Sequence, residues 1–322
     1  MSSGNNNDDY YPSLLRGLWA LTVRELKKWL NDPIMLLMFV LQPLIWMGLL
    51  GKSMNLGAIF SPGNLGNMPI PDKIPVPGDY VMPKIDGFIY ISGEWLSKSL
   101  QQMFSSIGES VMKNVFGVSD YFSYMAIGMI SMITVTTTMF SGMSIVWDRR
   151  LGFLDKVLST PVSRGAVIFS KVLNASLRAM LQATIILLLA VLFGLKLSST
   201  FSIMSILGVY SAIFLISVGF SSIFLAFSLR STKLERPMQI VSLITMPLMF
   251  ASNTFFPISM MPDWLQPVAY VNPLSYLTDA LRQLTILSLD TSRLLIDFIY
   301  LSIFAMIFSL IGIIFSWRYL TR

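Results

Sequence analysis

Six stretches of the chain are apolar almost throughout: 33–50, 121–147, 167–194, 203–227, 237–256 and 294–317. A membrane span needs about 20 mostly apolar residues, so the pattern predicts six transmembrane helices. The first stretch is short and contains Pro43, and the fifth contains Pro247. Each proline removes a backbone donor, so both spans are expected to bend or tilt. Between the second and third runs the pattern changes to an amphipathic one. Leu151, Leu154 and Leu158 fall at i, i+3 and i+7 with Phe153 and Val157 beside them, while Asp148, Arg149, Arg150, Asp155 and Lys156 carry charge. A short helix lying along the membrane face is expected there. Thr160 and Pro161 should end it, and Ser163 can cap the helix that follows.

Three more segments stand apart from the spans. Residues 13–30 place Leu15, Trp19, Val23, Leu26 and Leu30 on one stripe, with Arg16, Arg24, Lys27 and Lys28 elsewhere. This predicts an interfacial helix with its stripe at the acyl boundary and its bases at anionic headgroups. Asp32 and Pro33 suit the N-cap and first position of the following span. The insert at 51–120 is long for a connection. Its first half holds Pro62, Pro69, Pro71, Pro75, Pro77 and Pro83 and leaves little scope for helix, whereas Leu96, Leu100, Met103, Ile107 and Val111 form an apolar stripe in its second half. Residues 252–284 are apolar yet broken by Pro257, Pro262, Pro267 and Pro273. Short helices dipping back into the outer leaflet fit this segment, with Asp279 and Arg282 at i and i+3 able to pair.

Composition makes the membrane reading firm: 54% of the 322 residues are hydrophobic, 12% are charged, and mean hydropathy is +0.67. No cationic leader opens the chain, so an inside N-terminus is expected. With six spans, 15 of the 23 basic residues then fall on the cytoplasmic side. Both termini are expected in the cytoplasm and the protein in the plasma membrane. The net charge of +6 reflects that topology; no basic face interleaved with aromatics suggests nucleic acid.

The chain has no Cys and no His. Disulfides, thiolate chemistry, imidazole bases and most transition-metal sites are thereby excluded. Asp120, Asp148 and Asp297 read as sitting at or beyond span ends, which argues against a proton relay. Lys171 and Arg178, the only cations near a span interior, are expected to snorkel to the interface. No phosphate loop of the form GxxxxGK[ST] occurs, so if ATP is used another chain binds it. On composition alone the turn at 148–165 could be an ordinary polar connection, and the helix at 13–30 a simple anchor.

These elements together resemble the permease family of ABC-2 type transporters, the exporters with drug-resistance, lipid and polysaccharide members. Asp148, Arg149, Arg150, Leu151, Gly152, Phe153, Leu154 and Asp155, followed by Pro161, Val162, Ser163 and Arg164, fill the family's cytoplasmic motif, with Arg150 standing where a second acid is usual. Phe256-Pro257, Met261 to Leu265, Asn272 to Tyr276 and Asp279 to Arg282 match its late motif. The resemblance covers nearly the whole chain. It implies an all-α integral membrane fold with six spans, an N-terminal interfacial helix, a cytoplasmic coupling helix and re-entrant short helices after the fifth span. It also implies two copies of this chain, two copies of an ATP-binding subunit that holds ATP and Mg, and no cofactor here. With it, the 148–155 turn is read as the coupling contact. In the family the second and fifth spans line the route. Thr134, Thr136, Thr137, Thr138, Met139 and Phe140, with Met246, Met249, Phe250, Asn253 and Phe255, are therefore candidate lining residues for a hydrophobic or amphipathic drug or lipid. Glycan export and a non-transport scaffold remain alternatives. A secondary transporter would want inverted repeats, and a membrane enzyme convergent reactive groups; neither is found.

Overall fold

The computed structural model describes residues 14–52, 71–77, 88–231 and 233–320. The N-terminal 13 residues, much of the Pro-rich half of the insert including Pro62, Pro69 and Pro83, and the last two residues lie outside the described set.

The chain is mainly helical. Helix α1 (Leu14–Leu30) is followed by α2 (Pro33–Trp46), which contains Pro43 and ends in a π turn at Met47–Lys52. Within the insert a feature absent from the all-α expectation appears: strands β1 (Lys73–Pro77) and β2 (Phe88–Ser92) pair antiparallel, Lys73 opposite Ser92. Two prolines in β1 are tolerated because each strand has a free edge. Ser92 then caps α3 (Gly93–Val111), its Oγ accepting from the Trp95 amide.

The body consists of α4 (Tyr121–Ser141), α5 (Met143–Arg150), α6 (Phe153–Leu158), α7 (Arg164–Leu192), α8 (Ile203–Leu229), α9 (Glu235–Phe250), α10 (Gln266–Val271), α11 (Pro273–Thr285) and α12 (Thr291–Leu320). By length and composition four helical stretches can cross a membrane: the run that includes α4 and α5, then α7, α8 and α12. This is a multi-pass membrane protein. The first and fifth expected spans are shorter helices, of 14 and 16 residues, and each contains the proline read from the sequence. At about 1.5 Å per residue neither crosses a core of about 30 Å by its helix alone.

Helix α4 is the centre. Nearly all its residues are buried, whichever way they face. Its Gly128 is essential to this position, since a Cβ there would stand 2.3 Å from the Thr254 carbonyl oxygen. On the far side α8 and α12 meet along a similar close approach, Gly312 against Ser222. Much of the surface of α9 and α12 is apolar and uncovered, as lipid-facing helices require.

After α9 the backbone leaves helical geometry at 251–257 while residues 251–255 stay buried. Away from water every freed carbonyl needs a protein donor, and the fold supplies them. Arg282 of α11, 1% exposed, donates to the carbonyls of Asn253 (2.7 Å), Thr254 (2.8 Å) and Tyr124 (3.2 Å). Its guanidinium lies 3.4 Å from the Tyr124 ring centroid. The hydroxyls of Tyr124 and Tyr121 donate to Asn253 and Phe255, and the Asn272 amide donates to Leu248. The expected Asp279–Arg282 pair does not form: the guanidinium points into this carbonyl cage, where its fork satisfies several acceptors at once. Arg282→Lys keeps the charge but cannot span the cage, leaving buried carbonyls unpaired at roughly 1–3 kcal/mol each. The variant should melt well below the parent in detergent; equal melting would mean another group holds 251–257.

Candidate functional site

Two regions gather the residues singled out by sequence, and both are built around α4 and its neighbours. The first lies at the end of the molecule where α1, α5, α6 and the start of α7 meet.

Gly152, in the left-handed region at φ +65°, turns the chain from α5 into α6. The turn divides the motif residues by direction. Asp148 and Leu154 are buried, and Arg149 donates to the Ser231 carbonyl (3.3 Å) and the Leu229 carbonyl at the end of α8, with Tyr319 beneath it. Phe153 is half-buried under Arg24, 3.4 Å from its ring centroid. Of residues 148–155 only Arg150, Leu151 and Asp155 face outward, with Lys156 beside them. Asp148, Arg149 and Leu154 hold the segment to its own chain.

Asp148 belongs to a buried ion cluster that sequence reading missed. Lys171 of α7 pairs with Asp148 and, at 3.0 Å, with Glu25 of α1. Arg178, one helical stretch further on, lies 3.7 Å from the other Glu25 oxygen and donates to the Glu25 carbonyl at 3.0 Å. Arg24 reaches Glu25 at 3.0 Å and Asp148 at 4.0 Å. Glu25, Asp148 and Lys171 are all under 10% exposed. Lys171 and Arg178 thus do not snorkel to the interface as expected. The charge reaches them instead, because α1 packs its Thr22, Glu25 and Trp29 face against α7 and leaves Leu15, Trp19 and Leu30 outward. Burial pushes the Glu25 carboxyl up, but Lys171, by attraction and a hydrogen bond, together with Arg178 and Lys28, holds it below the usual carboxylate range.

The second region is an apolar cavity of about 480 Å³ between α2, α4 and α9. It is lined by Phe39, Trp46, Phe140, Met246, Met249 and Phe250, with Phe255 and Phe256 at one end and Gln42, Thr136, Ser242 and Thr245 as its hydrogen-bonding side chains. Six of the eleven candidate lining positions, Thr136, Phe140, Met246, Met249, Phe250 and Phe255, come together here. Five do not, Thr138 and Met139 among them being buried elsewhere on α4. On α4 the lining face is Met132, Thr136 and Phe140, spaced by four. Thr137 points to α7 and bonds the Gln182 side chain, and Thr134 is buried and bonds the Ile130 carbonyl at 2.8 Å. Asn253 sits beside Asp279 at the other end of the 251–257 segment. The α2 contribution was not anticipated, although Phe39, Gln42 and Trp46 are spaced as one helical face.

A second cavity of about 690 Å³ opens at the α1 end, lined by Glu25, Lys28, Trp29, Asp32, Trp147 and Arg178 among others. Phe39 and Phe140 line both cavities. An amphipathic space with charged walls therefore adjoins an apolar one across an aromatic pair.

The family model described as ABC-2 type transporter matches residues 88–286, more than half of the chain. The chain belongs to the ABC-2 type transporter family. Within this family it is similar to the putative transport permease ycf38 of Porphyra purpurea, 29% identical over 171 residues, which are 52% of this chain and 58% of that one. It is 27% identical over 179 residues, 55% of this chain and 47% of the relative, to the probable multidrug ABC transporter permease YbhR of Escherichia coli (strain K12). The daunorubicin resistance ABC transporter permease protein DrrB1 of Streptomyces coeruleorubidus is 28% identical over 168 residues, 51% of this chain and 58% of its own. The chain thus spans about half the length of the curated relatives it matches. The ABC-2 match includes α4 to α11, and so the inward-facing motif residues, the α4 and α9 walls and the Arg282 cage.

Glu25→Gln leaves Lys171 and Arg178 short of their shared anion, and breaking a buried pair costs about 3–5 kcal/mol. A carboxylate held below its unfolded value stabilises fully above about pH 4.3 and loses that contribution as pH falls through its folded value. The variant should therefore melt lower than the parent at pH 7, with the gap closing on acidification below pH 4. A constant gap across pH would remove Glu25 from the cluster.

Proposed function

We propose that this chain is the permease subunit of an ATP-driven exporter of hydrophobic or amphipathic compounds, and that substrate passes through the cavity between α2, α4 and α9. The observation that carries this reading is the junction of the two cavities at Phe39 and Phe140. Lys28, Arg178 and the tryptophans of the larger space suit a polar head, and the methionine and phenylalanine walls of the other suit its apolar body. The names of two relatives, for multidrug transport and daunorubicin resistance, favour such cargo over a glycan. So does the lining, which offers few hydrogen-bonding groups for sugar hydroxyls.

In this reading α2 and α9 complete six spans, the π turn and the 251–257 segment supplying the length their helices lack. Both termini lie in the cytoplasm and the chain sits in the plasma membrane. The uncovered apolar face of α9, which carries Leu243, Ile244 and Met246, meets a second copy of the chain. ATP and Mg are held by two copies of a separate ATP-binding subunit. That subunit docks on the outward residues Arg150, Leu151 and Asp155, whose motion the Gly152 turn and the ion cluster pass to α1 and α7.

The test is reconstitution with an ATP-binding subunit encoded beside this chain. Leu151→Asp with Asp155→Ala alters only the outward face and should leave the permease folded while lowering coupled hydrolysis about tenfold, equivalent to ~1.4 kcal/mol. Phe140→Ala should join the cavities and shift the range of transported compounds with assembly intact. Parent-like coupling in the first variant would remove the docking assignment, and parent-like selectivity in the second the route.

A further inference from the structure

At the end of the molecule opposite the ion cluster, α10, α11 and the start of α12 border a separate, partly open pocket of about 210 Å³ with both apolar and polar walls, enough for several waters. Its walls include Asn253, Ser275, Tyr276, Asp279, Arg293 and Asp297. Asp297, read from sequence as lying at a span end, is 4% exposed, on the second turn of α12. One of its oxygens accepts from Gln283 at 3.0 Å. Asp279 receives only a long contact, 3.5 Å, from the Asn253 amide. Neither carboxylate forms an ion pair within 4.0 Å among the described residues.

Two further acceptors belong to residues of the same lining. Asn253 Oδ1 and Ser275 Oγ have no hydrogen-bond partner, although the two residues are 7% and 5% exposed. Buried polar atoms are nearly always paired in native structures, so two orphans beside two unpaired carboxylates indicate a missing donor. The two terminal nitrogens of Arg282 donate to the carbonyl cage, and its Nε has no partner. Arg293 lines the same cavity. No three carboxylates converge among the described residues, which disfavours a multivalent metal. Tyr276, stacked on Tyr300 at 3.8 Å between centroids, adds an aromatic face.

The geometry points to a binding site for a primary ammonium group in this cavity. A primary ammonium brings three donors, which match Asp279, Asn253 Oδ1 and Ser275 Oγ. Its charge complements the two buried carboxyl groups, and its carbon chain can lie against Tyr276. The group can belong to a transported amine or to the headgroup of an aminophospholipid. The site does not depend on the route assigned between α2, α4 and α9, which lies on the other side of 251–257.

The test uses the full chain in nanodiscs of phosphatidylcholine and phosphatidylglycerol, with unfolding followed by tryptophan fluorescence. Ethylammonium chloride should raise the midpoint saturably by roughly 2–4 °C, while sodium chloride and tetraethylammonium chloride at equal concentration should not. Asp279→Asn should remove the shift. Ser275→Val, which fills the cavity and keeps both carboxylates, should remove it too, so the assignment stays testable if one variant does not fold. Repeating the titration in phosphatidylethanolamine discs separates the sources: loss of the ethylammonium effect means the lipid headgroup already occupies the site, and its persistence means a separate amine does. A shift matched by sodium or tetraethylammonium, no shift in phosphatidylcholine and phosphatidylglycerol, or a shift that survives in both variants would overturn the proposal.

Discussion

The lysine of α7 that bridges Glu25 and Asp148 is the contact on which the arrangement of this protein turns. Removing an ammonium and two carboxylates from water is costly, and the cost is met only when each ion keeps several close partners. Lys171 has both carboxylates, Glu25 has Arg24 and Arg178 as well, and Asp148 has Arg24. The partners lie on three elements distant in sequence: α1, α5 and α7. No one of them can shift far without stranding a buried charge. An interfacial helix, the segment that faces outward at Leu151 and a long span are thereby made one mechanical unit.

The far end is organised by the same physics with backbone dipoles in place of acids. The chain leaves helical geometry after α9 and re-enters an α-helix at α10, and Arg282 with Tyr121 and Tyr124 donates to carbonyls exposed by that break. Gly128 allows α4 to come close enough for this. Helix α4 therefore joins both ends, and one of its faces, at Met132, Thr136 and Phe140, borders the apolar cavity.

Much of this was legible in the sequence because membranes impose strong patterns. Long apolar runs, the prolines at 43 and 247, the Thr160-Pro161 break, the Ser163 cap and the Pro-broken segment after α9 each reflect a local rule, and the Ser163 side chain does accept from the Ala166 amide. What was not legible shares one cause. On a helix buried all round, hydrophobic periodicity carries no phase, so Thr134 and Thr137 could not be told from Thr136. Glu25 looked like one acid among four bases on a surface helix, because its partners are about 120 to 150 residues away. The burial of Asp148 and Leu154 was not legible for the same reason: an amphipathic pattern shows that two faces differ, but not which of them meets the protein. The β1–β2 hairpin was the exception with a local signal, since Phe88 to Ser92 alternates in a run of aromatic and β-branched residues.

The absence of cysteine permits a direct test of the mechanical unit, because spin labels can be placed without removing native thiols. Labels at Trp19 on α1 and Lys156 on α6, both outward-facing, report the distance between the two elements that the ion cluster joins. Pulsed electron resonance on the parent should give one narrow distance distribution, and Lys171→Met should broaden it into several. A broad distribution in the parent, or an equally narrow one in the variant, would contradict the claim that Lys171 binds α1 and α6 into one body.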